Sequence, residues 1–301
     1  MRILTFFVLM LALPAAAAAQ NPAVGVRAEG MGGAFVAVAD DASAVYWNPA
    51  GVAMGALFDF QVSGGPASTL FVGAALPVLG ASYYRLRRDV PFPTVSPSPD
   101  RENEGSEKVP GRPLTTTNLG VTVVQTVVTG VVIGTTARIV RGGIDTFATS
   151  TKVDLDAGLL VSVGAIRAGL TGRNLRQPEF EAGTGAVSLR RHVRAGAAYA
   201  PRSLPSGVHG PFTLAVDVDV TKTALPSGEA RMAAAGGEYW IAQGRMGLRA
   251  GVRWSASGAP YRAMSGGVTA ALPRSLFVDV QMTDPRESEA REWSLGARVT
   301  F

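Results

Sequence analysis

The chain of 301 residues contains no cysteine, only two histidines and very little lysine, and each shortage excludes a class of protein. Without cysteine there is no disulfide framework, no thiolate chemistry and no residue for lipid attachment. The histidines, His192 and His209, are too few and too isolated to predict a metal site. The lysines are Lys108, Lys152 and Lys222. Arginines supply the rest of the basic charge and are scattered singly, which argues against nucleic-acid binding.

Beyond its first residues the chain also lacks any run of 18 or more apolar residues, which excludes transmembrane helices from the predicted fold. The N-terminus, MRILTFFVLMLALPAAAAAQ, has one early charge and a short apolar core followed by small residues. This pattern is typical of a secretory signal peptide, and the alanines at 17–19 fit its cleavage rule. We therefore expect residues 1–19 to be removed and the rest of the chain to be exported.

Hydrophobic residues nevertheless make up 47% of the sequence and charged residues only 17%, with a mean hydropathy of +0.20. The apolar residues alternate with polar ones over segments of about ten residues, the period of a β-strand with two unlike faces. The last segment, EWSLGARVTF, places on one face Trp293, Leu295, Ala297, Val299 and Phe301. Its other face carries Glu292, Ser294, Gly296, Arg298 and Thr300.

The same alternation predicts about fourteen strands, an even number that suits a membrane barrel. They lie near residues 56–63, 68–76, 78–86, 115–128, 130–141, 151–163, 165–173, 191–200, 211–221, 230–240, 245–255, 261–271, 275–283 and 291–301. Short links and long polar connections alternate between the strands, as in membrane barrels with short turns at one end and long loops at the other. The link at 201–210 is longer than expected for a short turn. A soluble β-sandwich is the alternative, since it too needs one apolar and one polar face.

Aromatic residues at strand ends favour the barrel, because membrane barrels carry aromatic girdles at both interfaces. The girdle positions are Tyr199, Trp240, Trp254, Tyr261, Trp293 and Phe301. We therefore predict an all-β fold, a transmembrane antiparallel up-and-down barrel over residues 56–301. Its outer face meets outer-membrane lipid, and its location is the bacterial cell outer membrane. Trp293 and Phe301 form the terminal signal that the barrel-assembly machinery reads.

The polar faces of the strands then line a lumen. The charges assigned to it are Asp154, Asp156, Arg167, Arg173, Arg190, His192, Arg194, Asp217, Asp219, Arg245, Arg249, Arg253, Asp279, Glu292 and Arg298. Neighbouring strands carry opposite signs, which predicts cross-strand ion pairs that brace the wall. The alternative is a selectivity element for an anionic solute. We favour bracing, because unpaired charges in a narrow lumen cost free energy.

No enzyme signature is present. The sequence contains no G-x-S-x-G, P-loop, H-E-x-x-H or EF-hand pattern. Asp40 and Asp41 are adjacent, but neighbouring residues do not ordinarily converge on one reacting atom, and nothing else titratable lies near them in sequence. We expect no catalytic residue, no metal and no cofactor.

The stretch GMGGAFVAVADDASAVYWNPAGVA, residues 30–53, precedes the first strand and lacks the spacing of a dinucleotide-binding loop. The run DDASAVYW predicts a short helix capped by Asp40, Asp41 or Ser43. Asn48 precedes Pro49 and is therefore driven out of helical geometry. We interpret residues 20–55 as a compact hatch that fits inside the lumen.

This stretch resembles the N-terminal hatch signature of the FadL-like outer-membrane barrels and of their PorV, PorQ and TraF-like relatives. The matching residues are Gly30, Gly32, Gly33, Ala34, Asp40, Asp41, Ser43, Asn48, Pro49, Ala50 and Gly51. The segment GLTGRNL at 169–175 is similar to a strand-end motif of the PorV-like members. The resemblance implies a fourteen-strand barrel obstructed by a hatch. In its transport members, hydrophobic ligands pass through the barrel.

Two functions follow as expectations. The first is uptake of small hydrophobic molecules past the hatch. The second is a docking or carrier role in a protein secretion or surface-assembly system, as the PorV-like relatives imply. The expected partners are accordingly hydrophobic small molecules or secretion-system proteins. The polar, proline-rich stretch at 87–114 is the one connection long enough for a substantial extracellular feature.

Overall fold

The computed structural model describes residues 24–65, 69–90, 112–144, 148–182, 185–201, 211–225, 228–286 and 291–301. The expected signal peptide, the first four hatch residues and His209 lie outside these ranges. Most residues of the long connection at 87–114 and of the link at 201–210 also lie outside these ranges. None of the helices in these ranges combines the length and the apolarity that crossing a membrane requires.

Seventeen strands follow one another in the described part of the chain. They are β1 (Asp59–Gly64), β2 (Leu70–Leu76), β3 (Leu79–Val90), β4 (Arg112–Val128), β5 (Val131–Ile144), β6 (Ser150–Val163), β7 (Ile166–Arg173), β8 (Glu179–Ala182), β9 (Gly185–Ser188), β10 (His192–Tyr199), β11 (Phe212–Asp219), β12 (Thr223–Leu225), β13 (Gly228–Ile241), β14 (Met246–Gly258), β15 (Arg262–Leu272), β16 (Leu276–Pro285) and β17 (Glu292–Thr300).

Fourteen of these strands form one closed antiparallel barrel, which confirms the predicted fold class. Each barrel strand pairs with the next barrel strand along the chain, so that β7 pairs with β10 and β11 with β13, and β1 pairs with β17 to close the ring. All fourteen predicted strands are present. The additional strands lie in connections that were predicted as loops: β8 and β9 form a separate hairpin, and β12 extends the edge of β13.

The strands alternate between an outer apolar face and an inner polar face. In β11, Val216 and Val218 are 55% and 45% exposed, whereas Asp217 and Asp219, which alternate with them, are 4% and 3% exposed. Leu295 in β17 is likewise outward, and the adjacent Ser294 is buried. A large apolar outer surface of this kind is not stable in water, and the barrel therefore needs an apolar surrounding.

The buried core lies inside the barrel, not between layers. Its largest cluster joins hatch residues, including Phe35 and Trp47, to inward residues of the wall such as Phe71 and Tyr84. The hatch therefore takes the place that water would occupy in an open pore. Burial of each large apolar side chain contributes about 1.5–3 kcal/mol to this packing.

Three of the predicted girdle aromatics show where the girdle interpretation holds and where it fails. Tyr199 and Trp254 are 41% and 37% exposed on the outer wall. Tyr261, in contrast, is 9% exposed and packs with Met232 and Ala263 in a small cluster. Its position before β15 puts the ring on the inner side, so the girdle assignment of Tyr261 is wrong.

Candidate functional site

The candidate site is the hatch, the segment before β1 that enters the lumen. It consists of helix α1 (Val26–Gly30), helix α2 (Ala44–Trp47) and a 3₁₀ helix (Pro49–Met54). Glycines end α1 after a single turn, because two of them adopt positive φ and leave helical geometry. Asn48 is extended, as expected for a residue before proline, and this ends α2.

Aromatic rings pack the hatch against the wall. The rings of Phe35 and Trp47 meet edge to face at 6.1 Å, and those of Tyr46 and Trp47 at 5.5 Å. Tyr46 in turn meets Tyr84 of β3 at 5.5 Å. The Trp47 indole N–H donates to the carbonyl of Val24 at 2.8 Å, so that no polar group of the ring is left unpaired.

Arg27 of α1 is the main ionic link between hatch and wall. Its Nε and Nη2 donate to the two carboxylate oxygens of Glu238 in β13, at 2.8 and 2.9 Å. Its Nη1 lies 2.5 Å from Asp40 and 3.3 Å from Asp41, both within the hatch. Glu238 also accepts a bond from Arg249 of β14 at 2.6 Å. Neither Arg27 nor Glu238 is among the residues predicted from the sequence.

The adjacent aspartates predicted as part of the hatch motif have different surroundings. Asp41 accepts from the Ser43 backbone N–H at 2.9 Å and lies 4.0 Å from Arg298 of the wall. Asp40 is the more exposed of the two and lies 3.6 Å from Arg167. Ser43, the N-cap residue of α2, makes no side-chain capping bond, and Asp41 instead accepts from the backbone N–H of Ser43 just before the helix, so the expected cap is present only in this form.

Opposing effects set the ionisation of Asp41. Burial raises the pKa of the Asp41 carboxyl, but the charges of Arg27 and Arg298 and the bonds from Ser43 outweigh it. The pKa of Asp41 is therefore below its usual range. The carboxylate stays ionised inside the lumen because it has these partners.

Two further polar side chains hold the hatch backbone. Asp217 of β11 accepts from the backbone N–H groups of Phe35 and Val36 at 2.8 and 3.0 Å. Asn48 donates to the carbonyl of Val36 at 2.8 Å and to that of Leu159 in β6 at 3.1 Å. The three bonds to Phe35 and Val36 satisfy hatch backbone groups that lie outside any strand or helix, and a buried unpaired group of this type costs about 1–3 kcal/mol.

The hatch glycines are required where its backbone touches the wall. A Cβ on Gly32 would lie 2.8 Å from the backbone nitrogen of Val252 in β14, and φ is +68° there. A Cβ on Gly30 would meet Gly267 at 3.4 Å. Gly33 also has positive φ and lies under the guanidinium of Arg253. Gly51 lies against the carbonyl of Ala39 within the hatch. Pro49 contacts two wall glycines, Gly134 and Gly158.

The predicted lumen charges that lie within the barrel strands face inward where the alternation places them, and most of them meet a charge of opposite sign. Arg138 of β5 lies 2.5 Å from Asp154 and 2.9 Å from Asp156, both in β6. Arg194 lies 3.5 Å from both Asp217 and Asp219, Arg249 lies 3.2 Å from Asp279, and His192 lies 3.0 Å from Asp219. Arg138 was missed, although the alternation that places Val140 inward also places Arg138 inward.

Two arginines assigned to the lumen lie elsewhere. Arg190 is 60% exposed and pairs with Glu229 beyond the end of the barrel wall. Arg245 lies in the turn before β14 and is exposed. In both cases the residue continues the alternation of a strand past the point where the strand ends.

The outer mouth of the lumen is covered by the β8–β9 hairpin. Phe180 of β8 is 1% exposed and packs with the inward residues Leu114, Val140 and Ile144. The connection that leads into the hairpin is held by the predicted lumen carboxylates. Asp156 accepts from the Asn174 backbone N–H at 2.9 Å, and Asp154 accepts from that of Arg176 at 3.1 Å.

Glu29 of α1 is the one hatch carboxylate without a close arginine in this arrangement. It accepts bonds from Ser294 of β17 at 2.5 Å and from Gln281 of β16 at 2.8 Å. Removal from bulk water raises the pKa of Glu29 to about 7, the charge of Glu292 adds to the increase, and Arg253 and the two hydrogen bonds oppose it. Glu29 therefore titrates near neutral pH.

The predicted terminal signal closes the barrel seam. The Phe301 N–H donates to the carbonyl of Phe58 at 2.9 Å, and the Phe58 N–H donates back at 3.1 Å. The two rings stack at 6.3 Å, and Phe301 is 68% exposed. Trp293 lies near the other end of β17, opposite Met282.

Titratable side chains form ion pairs throughout the lumen but no metal centre. Within the ranges that the structure describes, no three histidine, cysteine, aspartate or glutamate residues are grouped so that they could hold a metal ion.

Solved structures with the same fold include a hydrocarbon channel and a toluene transporter. The "CymD monoaromatic hydrocarbon channel" is 12% identical, with 93% of this chain and 98% of that chain covered and a TM-score of 0.64. A Pseudomonas aeruginosa FadL homologue is 12% identical, with 95% and 100% covered and a TM-score of 0.63. The Pseudomonas putida toluene transporter TodX is 10% identical, with 92% and 96% covered and a TM-score of 0.57. These likenesses establish the fold.

Sequence comparisons reach less far. A family model described as "F plasmid transfer operon, TraF, protein" matches residues 119–219, about a third of the chain. No curated protein matches the sequence. The matched segment runs from β4 to the end of β11 and contains neither the hatch nor the terminal strand.

Proposed function

We propose that this chain is an outer-membrane channel through which small hydrophobic molecules pass when the hatch moves. The observation that carries the proposal is a closed fourteen-strand barrel whose lumen is filled by a separate, wall-anchored N-terminal segment. Such a segment blocks the passage of bulk water and ions through the lumen. It also leaves apolar side chains on the inner side of the barrel wall. The fold shared with hydrocarbon channels supports the same proposal.

In this proposal the lumen charges hold the hatch and brace the wall. Arg194 and Arg249 each have carboxylate partners at 3.5 Å or less, so they are not free to bind an anionic solute. Arg27, Asp41, Asp217 and Asn48 anchor the hatch through bonds that can break one at a time. The β8–β9 hairpin, which carries Phe180 and covers the outer mouth, is a second obstruction that a ligand must displace.

A disulfide between hatch and wall tests whether hatch movement is needed. A Cβ on Gly296 of β17 would lie 2.9 Å from Cγ2 of Val26, which suits the geometry of a disulfide. The chain has no native cysteine, so the Val26→Cys/Gly296→Cys pair is unambiguous. In liposomes, the oxidised protein should lose uptake of a monoaromatic probe, and reduction should restore it. The two single-cysteine variants are the controls.

Two results would contradict the proposal in different ways. Equal uptake by the oxidised and reduced proteins would mean that the hatch does not gate the lumen. Absence of saturable uptake for any hydrophobic probe, in a protein shown to be folded by its heat-dependent gel mobility, would remove the transport function.

A docking or carrier role in a secretion or surface-assembly system is the second candidate. The match of residues 119–219 to the TraF family model favours it. Its signature is a protein partner that copurifies in a fixed ratio after mild detergent extraction. Native mass spectrometry separates the two candidates, since a transporter should instead retain a small apolar molecule.

A further inference from the structure

Three arginines lie on the outer wall of the barrel near its long-loop end. In β3, Tyr84 and Leu86 are 1% and 2% exposed and point into the lumen, so Arg85 and Arg87 point outward. In β5, Val140 is fully buried on the inner side, so Arg141 points outward. All three arginines are exposed. They are not part of the lumen network that holds the hatch.

The strand register places these arginines side by side. Arg85 is paired with Thr117 of β4, and Thr117 is paired with Arg141 of β5. Neighbouring strands are about 4.8 Å apart, so the backbones of Arg85 and Arg141 are separated by about 10 Å. Arg87 lies two residues further along β3, a distance of about 7 Å. Long arginine side chains reach a common point from these positions.

The arginine row coincides with the edge of the apolar belt. The outward residues one step lower in the same register are Tyr83, Leu119, Ile139 and Val153, which are 37%, 55%, 49% and 53% exposed. Thr117 and Val127, at the two ends of the belt on β4, are ten residues apart. At about 3.3 Å per residue and a tilt of about 40°, this span is about 25 Å high, the height of the apolar band of outer-membrane barrels.

Among the side chains that the structure describes, which do not include that of Asp89, no carboxylate pairs with this row. The ion pairs found there include none to Arg85, Arg87 or Arg141, and Arg141 has only a hydrogen bond to Thr149 at 3.3 Å. The lumen arginines Arg138 and Arg249, in contrast, each meet two carboxylates. Arginine at the rim of an apolar surface is stabilised when an anion joins it, and its planar fork suits phosphate.

We propose that Arg85, Arg87 and Arg141 bind the phosphate groups of an anionic lipid of the outer leaflet, whose acyl chains lie on the apolar row beneath. The proposal rests on the outer-membrane location proposed above. The spread of the three guanidinium groups fits a headgroup with two phosphates. Thr115 and Thr117 of β4 supply hydroxyl groups between the arginines, and Thr151 of β6 supplies one beside Arg141. The apolar row anchors a lipid and offers nothing to free phosphate.

The test compares two double variants of the full chain purified in nonionic detergent. Arg85→Gln/Arg141→Gln removes the site, and Arg245→Gln/Arg274→Gln removes two exposed arginines at the short-turn rim, with the same change of charge. Native mass spectrometry measures binding of diphosphoryl lipid A and of the same lipid without its phosphates. Heat-dependent gel mobility shows that each variant keeps its barrel.

The wild type and the rim variant should bind diphosphoryl lipid A equally, and Arg85→Gln/Arg141→Gln should bind it at least about tenfold more weakly. The dephosphorylated lipid should not distinguish the variants. Equal binding of diphosphoryl lipid A by both double variants would overturn the proposal. Displacement of the lipid by millimolar inorganic phosphate would also overturn it, because the site would then be one for free phosphate.

The connection at 87–114 is the competing occupant, because it contains the carboxylates Asp100, Glu102, Glu104 and Glu107. If the lipid binds only after residues 95–108 are deleted, the chain itself covers the arginines and the proposal is wrong. Membrane fractionation of the wild type tests the location separately. Recovery of a soluble protein would contradict the proposed function, whereas the detergent measurement judges the arginine site by itself.

Discussion

At the scale of single residues, Arg27 joins the hatch to the wall through one guanidinium and three carboxylates. Two of its bonds reach Glu238, which is 211 residues away in the chain. Arg27 is 7% exposed and Glu238 is 4% exposed, so water does not replace a lost partner. In a buried site of this kind, removing one charge of an ion pair costs more free energy than the intact pair contributes to stability, because the remaining charge is left without a partner.

Arg27→Met should therefore loosen the hatch. Glu238, Asp40 and Asp41 would share fewer cations, and the free energy of hatch opening should fall by about 3–5 kcal/mol. Hydrogen exchange of peptides from residues 24–54 measures this opening. Arg291→Gln breaks an exposed pair with Asp284 and should leave the exchange unchanged. Unaltered exchange in Arg27→Met would show that the network does not hold the hatch.

Gly32 tests the close approach of hatch and wall. Gly32→Ala places a methyl group 2.8 Å from the nitrogen of Val252 and retains a φ of +68°, which should cost about 1–3 kcal/mol of hatch stability. Gly164→Ala is the matched control, because Gly164 has a φ of +60° with no atom within 4 Å of the added carbon. If both variants lose the same stability, backbone strain alone is responsible and the contact is unimportant.

At the scale of elements, α1 carries the carboxyl group of Glu29, which makes the stability of the hatch inside the lumen depend on pH. Glu29 faces Ser294 and Glu292 from β17, Gln281 from β16 and Arg253 from β14. Its pKa is raised from 4.5 to about 7 in the folded protein, so the seated hatch favours the protonated form. The contribution of Glu29 is complete below pH 4.5, is lost as the pH rises towards 7, and does not change further above pH 7.

Hatch opening should accordingly become easier between pH 5 and pH 7.5. The change amounts to at most about 3 kcal/mol, from a shift of this size. Hydrogen exchange of α1, corrected for its intrinsic pH dependence, measures it. Glu29→Gln should remove this slope and keep the bonds to Ser294 and Gln281 available. A slope of equal size in Glu29→Gln would assign the titration to another group.

At the scale of the whole molecule, the barrel closes where β17 meets β1. The register there runs from Asp59 opposite Thr300 to Gly64 opposite Leu295. Phe58 and Phe301 extend this pairing by one step with two backbone hydrogen bonds and a ring stack. The last residue of the chain is therefore part of the seam and also the end of the predicted assembly signal.

Removal of the Phe301 side chain should impair insertion. We expect Phe301→Ala to accumulate as periplasmic aggregate, because the terminal phenylalanine is the predicted recognition element. Phe58→Ala removes the same ring stack but retains the terminal phenylalanine, and it should insert. Membrane fractionation with heat-dependent gel mobility distinguishes the two. Equal insertion of both variants would contradict the assembly signal, and equal failure would assign the defect to the seam.

Part of the site could be predicted from local pattern alone. The alternation in FTLAVDVDV places Asp217 and Asp219 inward, and the structure places both there. The order Asn48–Pro49 predicts the end of α2, and the structure has Asn48 extended. Tyr261 and Arg245 were placed wrongly, because each lies just beyond a strand, where the alternation no longer determines direction.

The sequence by itself determined the all-β class, the fourteen barrel strands and the inward face of wall charges such as Asp217 and Asp219. It could do so because the period of two is a local property of the extended chain. Only the tertiary structure decided that Arg27 meets Glu238, that Asp217 holds the backbone of the hatch, and that β8 folds over the outer mouth. These contacts depend on the register with which the barrel closes, and no local pattern contains that register.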